Sequence, residues 1–191
     1  MERMARVRRV AAVVRSVVPL EGHPVTVELG SGTGMLARCL ADVLGPTTLL
    51  DASPAMIEVA SRALASERLE GWSAAVTDLD EGIPGGPYEL ALAQMFLHHV
   101  EDVPALLGEL RRVMAPGGVV VIADLDHDAA KRYHATVVDF HGHHGFCHDE
   151  LRGWLEKAGY RDVCFHDAGV VGKEVDGERQ DFPMFLAVAK V

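Results

Sequence analysis

The sequence predicts an α/β fold with a mostly parallel sheet, and three observations carry that prediction. Val25–Gly34, reading VTVELGSGTG, passes from a β-branched run through glycines at 30, 32 and 34 into a helical apolar period at Leu36, Leu40, Val43 and Leu44. Short apolar runs and helical periods then alternate along the chain, as strands joined by helices do. Acids stand at strand ends: Glu28 in the first, and Asp51 at the end of the second, twenty-one residues after Gly30.

The elements follow in order. Residues 1–20 form an N-terminal helix whose apolar side is Met4, Val7, Ala11, Val14 and Val18 and whose basic side holds Arg3, Arg6, Arg8, Arg9 and Arg15. A solvated basic face is the expectation; a mitochondrial presequence and a membrane-surface helix share this pattern. The helix behind the glycine turn spans Met35–Leu44 and stops at Gly45-Pro46. Thr47–Leu50 is a buried strand, and Ser53-Pro54 caps the helix that buries Met56, Val59, Ala60, Ala63 and Leu64. Trp72–Thr77 and Tyr88–Met95 are the third and fourth strands, with turn chemistry over Gly82–Pro87. A helix from Val103 to Met114 ends in Ala115-Pro116-Gly117-Gly118, and Val119–Ala123 is the fifth strand. Residues 124–148 are an insertion, with a short helix over Ala129–Asp139. Cys147–Ala158 is an amphipathic helix capped by Gly159, and Arg161–His166 and Met184–Lys190 are the last strands, joined by a polar loop around Lys173–Asp181.

The chain of 191 residues reads as a single domain. A net charge of −10 argues against a surface that grips nucleic acid by neutralising phosphates. Cys39, Cys147 and Cys164 form no framework, and no apolar stretch reaches membrane-span length. These features point to a cytoplasmic protein handling a small molecule, with the oligomeric state left open.

The glycine turn after a strand, with helix amides behind it, is the layout of a nucleotide-type cofactor site. The dinucleotide fingerprint needs glycine or alanine where Met35 stands, which disfavours a nicotinamide. The spacing E-L-G-S-G-T-G instead resembles motif I of the class I S-adenosylmethionine-dependent methyltransferases. Gln94-Met95-Phe96-Leu97-His98-His99 resembles their motif IV, and L-x-x-V-M-A-P-G-G-V-V-V-I over Leu110–Ile122 and E-L-R-G-W-L-E-K-A-G-Y over Glu150–Tyr160 resemble later segments of their small-molecule members.

The resemblance implies a Rossmann-like three-layer sandwich on a mostly parallel seven-stranded sheet with an antiparallel last strand. It implies S-adenosyl-L-methionine as cofactor, held by Glu28, Gly30, Ser31, Gly32 and Gly34, then Asp51, Ala52 and Met56, then Asp78 and Leu79, then Gln94 and Met95. Asp80 is the alternative to Asp78. The first helix becomes a lid over the substrate pocket. An acid suits position 51 because a carboxylate accepts from both ribose hydroxyls.

Methyl transfer needs a base only if the acceptor arrives protonated, and His99 and His98 are the candidates. His99, Tyr133, His143, His144 and Phe146 are the expected substrate contacts, His144 and Phe146 through the H-G-F segment that the resemblance implies as part of the pocket wall. His141, His143, His144 and His148 with Cys147 offer a second reading, a non-catalytic module using residues 141–148 for a metal or a partner.

Overall fold

The computed structural model describes residues 2–127, 132–134 and 140–191. The expected helix over Ala129–Asp139 lies largely outside them. Seven strands form one sheet: β1 (Thr26–Leu29), β2 (Thr47–Asp51), β3 (Ser73–Val76), β4 (Tyr88–Gln94), β5 (Met114–Leu125), β6 (Arg161–Val175) and β7 (Glu178–Lys190). Their order is β3-β2-β1-β4-β5-β7-β6. The pairs β1–β2, β1–β4, β2–β3 and β4–β5 are parallel, while β7 runs antiparallel to both neighbours. This is the Rossmann-like sandwich, with the last strand reversed.

Period-two alternation sorts side chains between two apolar layers. Val27, Leu29, Val120 and Ile122 face the layer that holds α4 (Val103–Val113) and α5 (His148–Lys157). Leu90, Leu92, Val119 and Val121 face the other, which holds α1 (Glu2–Val17), α2 (Met35–Cys39) and α3 (Pro54–Glu67). Glu28 lies between Val27 and Leu29, so its carboxyl points toward α1 and α2. Ser53 caps α3 by accepting from the Met56 amide at 3.4 Å, and Asp102 caps α4 by accepting from Ala105 at 2.9 Å.

Five expectations need correction. On α3, Met56 and Val59 are exposed, and Ile57 is buried with Ala60 and Leu64 instead. The helix α2 ends at Cys39, because the chain tightens into successive turns, with the Leu40 amide bonded to Ala37 O and Val43 to Leu40 O; Leu40 and Leu44 are buried all the same. Strand β5 begins at Met114, since Met114 pairs with Tyr88 before the register shifts across Pro116-Gly117-Gly118. The supposed polar loop around Lys173–Asp181 is the tip of a long hairpin: Asp176 and Gly177 both adopt left-handed φ, +54° and +78°, which suits the twist of paired strands. On α1, Met4 is exposed, and Val10 joins Val7, Ala11 and Val14 in the core. No helix among the described residues is long and apolar enough to cross a membrane.

Candidate active site

In this strand order the connections leaving β1 and β4 diverge, and a crevice opens at their carboxyl ends. Two cavities occupy it, of about 570 Å³ and about 340 Å³, sharing Arg3, Gly30, Gly32, Met95 and His99 as walls.

The larger cavity is bounded by backbone. Gly30, Gly32 and Gly34 take φ of +57°, +54° and +68°, a region that side chains other than glycine adopt at a cost. A Cβ on Gly30 would collide with the Phe96 side chain, and one on Gly34 with Leu49, whereas Gly32 has only the Arg3 guanidinium within reach, at 3.7 Å. The surface over Gly32 is thus open to a ligand. Asp51 stands beside it with one oxygen accepting from the Gly32 amide at 2.7 Å and the other from Ser53 at 2.8 Å. Each oxygen has a second lone pair left for the cleft. Ala52 and the exposed thioether of Met56 continue the wall, and Asp78, Leu79 and Asp80 close it opposite. The Asp80 amide bonds to Asp78 Oδ1 at 3.0 Å, so both acids belong to one turn.

Where the cavities meet, β4 ends in strain. Met95 adopts φ +52°, uncommon for a residue with a long side chain, and it lines both spaces. Close by, Ser31 Oγ and Gln94 Nε2 are buried without hydrogen-bond partners. Glu28 is buried, accepting from the Ala37 amide at 3.2 Å. Burial pushes its carboxyl up to about 8, against the pull of that amide and with the help of Asp51, so Glu28 is uncharged at neutral pH.

The smaller cavity is bounded by side chains. His98 is buried, with its Nδ1 2.7 Å from Asp124 Oδ1. With Nδ1 donating to that oxygen, Nε2 is left as the ring's free nitrogen. Asp124 is itself fully buried and also takes the Leu125 amide at 2.7 Å and the His98 amide at 3.3 Å. The His99 ring lies 4.1 Å from that of His98 and opens onto both cavities. Partial burial and the neighbouring His98 hold His99 below the ordinary imidazole value, which keeps it neutral. Tyr133, His134, Arg6 and Lys173 complete the wall.

Of the residues expected to touch substrate, His99 and Tyr133 line this cavity and His143, His144 and Phe146 line neither. Phe146 is fully buried in the α4–α5 layer, pinned to β5 by its amide to Leu125 O at 3.0 Å. The His143 amide donates to His98 O at 2.8 Å while its ring packs toward Phe146 and Trp154. His144 sits behind His134, 5.5 Å from it. His148 stacks on Phe165, and among the described residues no group of three acid, histidine or cysteine side chains is placed to hold a metal. Sequence reasoning missed Arg3, Arg6, Asp124, His134, Lys173 and Phe96 as site residues. Asp124 closes the fifth strand as Asp51 closes the second, so the same signal was available for it.

A methyltransferase-domain family model matches residues 2–164. A biotin biosynthesis bifunctional protein BioCD from Bordetella avium is 33% identical over 136 residues, covering 68% of this chain and 27% of that protein. A ubiquinone biosynthesis O-methyltransferase from a Caulobacter species is 32% identical over 111 residues, covering 56% of this chain and 43% of the relative. The chain therefore spans less than half the length of either. A solved phosphoethanolamine N-methyltransferase 2 from Haemonchus contortus, in complex with S-adenosyl-L-methionine, superposes with a TM-score of 0.77 at 17% identity, over 95% of this chain and 52% of that one.

Proposed function

Because the chain belongs to the methyltransferase-domain family, we propose that it moves a methyl group from S-adenosyl-L-methionine to a small-molecule acceptor. The donor's nucleoside lies in the 570 Å³ cleft and its amino-acid tail reaches the Glu28, Ser31 and Gln94 wall of the adjoining 340 Å³ cavity, which leaves the Tyr133, His134 and Lys173 wall of that cavity to the acceptor. The observation that carries this reading is the cradle itself: three left-handed glycines, one of them open to the cleft, beside a strand-end carboxylate held by two amides.

The residues present suit the donor. Asp51 would accept from the ribose hydroxyls, Met56 offers an apolar face for the adenine, and Asp78 with Leu79 supplies its polar edge. Glu28, Gln94 and Ser31 hold unused or uncharged polar groups where the amino-acid tail would lie. When bound, the donor would supply a methyl carbon activated by its sulfonium for attack by the acceptor's lone pair, with the neutral thioether as the leaving group. His98, oriented by Asp124, receives the acceptor's proton at Nε2, and neutral His99 forms the partition between the two spaces. The short insertion and the acidic net charge favour a small acceptor over nucleic acid.

Calorimetry with S-adenosylhomocysteine tests this. One-site binding with a rise in melting temperature that grows with ligand is expected. Folded protein that shows neither at millimolar ligand would overturn the assignment.

A further inference from the structure

The smaller cavity has an unusual charge for this protein. The chain carries a net charge of −10, yet among the described residues the arginine and lysine side chains Arg3, Arg6 and Lys173 stand on the cavity wall with a single carboxyl, Glu28. Glu28 is buried in its neutral form. A methyl donor bearing one carboxylate, one ammonium and one sulfonium adds positive charge rather than removing it. At most one guanidinium would be matched by the donor's carboxylate, and Arg3 is the cation that borders both spaces and stands over Gly32.

Two of the remaining groups show an unmet demand for a ligand. His134 is 4% exposed, and both of its ring nitrogens are buried with no partner among the described residues. A buried polar group left unsatisfied destabilises the fold, and a bound ligand that accepts its hydrogen removes that cost. Burial, with His98 and His144 nearby, pulls its imidazole down to about 4, so at neutral pH it holds a single N–H to donate. Arg6, whose Nε is likewise buried and unpartnered, reaches the same space from α1. Lys173 lies 4.5 Å from the centre of the Tyr133 ring and donates to the Tyr133 carbonyl, leaving further ammonium hydrogens free. It is carried in by the β6–β7 hairpin, beyond residue 164 where the family match ends.

We infer that the acceptor bears an acidic group, a carboxylate or a phosphate, received by Lys173, His134 and Arg6 beneath Tyr133. This rests on the proposed placing of the donor, whose tail takes the Glu28, Ser31 and Gln94 wall, and the acid group then lies at the wall formed by Tyr133, His134 and Lys173. An acid bound there neutralises the surplus cations, accepts the stranded hydrogens of His134 and Arg6, and leaves the rest of the acceptor to face the partition.

The test loads the full chain with S-adenosylhomocysteine, whose own binding reports on the donor reading alone. Inorganic phosphate and benzoate are then titrated separately, with chloride as the reference anion, and binding is followed by calorimetry. One of the two should bind the loaded protein well above chloride: phosphate identifies a phosphorylated acceptor, and benzoate a carboxylate. Lys173→Met should weaken that anion by about tenfold or more, Lys173→Arg should retain it, and S-adenosylhomocysteine affinity should stay within about twofold in both. His134→Phe should weaken the anion while leaving the melting temperature equal or higher, since it removes two unpaired polar atoms. Neither anion exceeding chloride on the loaded protein, or Lys173→Met binding as tightly as the parent, would overturn the inference.

Discussion

The two cavities meet at Met95 and are built by opposite means. The larger cleft, proposed for the donor, leans on glycine torsions, amides and a strand-end carboxylate after β1 and β2, and is closed by the turn after β3, the segment after β4 and Arg3. The smaller cavity, proposed for the acceptor, shares the glycine turn but adds side chains from α1, from residues 133 and 134, from the end of β4 and from the β6–β7 hairpin. A wall of backbone tolerates few substitutions and suits a ligand that does not change. A wall of side chains can be re-specified one residue at a time while the sheet beneath stays as it is.

This contrast can be tested by separating effects on the two spaces. The largest effect should come from Gly30→Ala, which forces a Cβ into Phe96 and a left-handed torsion onto alanine. We expect loss of S-adenosylhomocysteine binding by more than about a hundredfold and a stability cost of roughly 1–3 kcal/mol, read by calorimetry and urea melts. Asp51→Ala comes next. Removing a carboxylate that anchors the Gly32 and Ser53 amides and is proposed to accept from the ribose should weaken S-adenosylhomocysteine about a hundredfold, with a smaller loss in melting temperature. If Asp51→Ala bound as the parent does, the donor half would have to be reassigned.

On the acceptor side, Asp124→Asn should act in the reverse sense. Asparagine can still receive the His98 ring hydrogen at its carbonyl, but its NH₂ then meets the His98 amide, donor against donor. A stability loss of about 1–3 kcal/mol is expected, with S-adenosylhomocysteine affinity changed by less than about twofold. Equal losses in both readouts would mean that the two cavities act as one.

The smallest effect is a pH slope. In the folded chain Glu28 keeps its proton to about pH 8, whereas unfolded it gives it up near its ordinary value of 4.5. Between those values the folded state binds more protons, so this group's contribution to stability falls as pH rises. Glu28→Gln keeps the shape and removes the titration. Its melting temperature relative to the parent should therefore climb from pH 5 to pH 9; a flat difference would mean that Glu28 is already ionised.

How much of this was legible beforehand depends on sequence distance. The strand–glycine–helix unit at Val25–Gly34 is readable because its chemistry is local: three glycines are needed by torsion, and Asp51 follows at the spacing one βαβ unit imposes. The Ser53 and Asp102 caps are readable for the same reason. Asp176-Gly177 carried a hairpin signal as well, but Lys173, Glu174 and Asp181 around it gave the stretch the composition of a loop. The H-G-F segment misled at Phe146, because an aromatic beside histidines reads alike whether it lines a pocket or fills a core.

From residue order alone came the fold class, the glycine turn and the strand-end acid that lines the larger cleft beside it, since torsion preference, strand alternation and loop spacing act over a few residues. Which cations enclose the second cavity came from packing. Arg6 and Lys173 stand near opposite ends of the chain, and they meet because α1 and the β6–β7 hairpin bury their apolar faces on the same side of one sheet. Burial likewise set the protonation of Glu28 and His134, for desolvation is a property of surroundings that no neighbouring letter in the chain encodes.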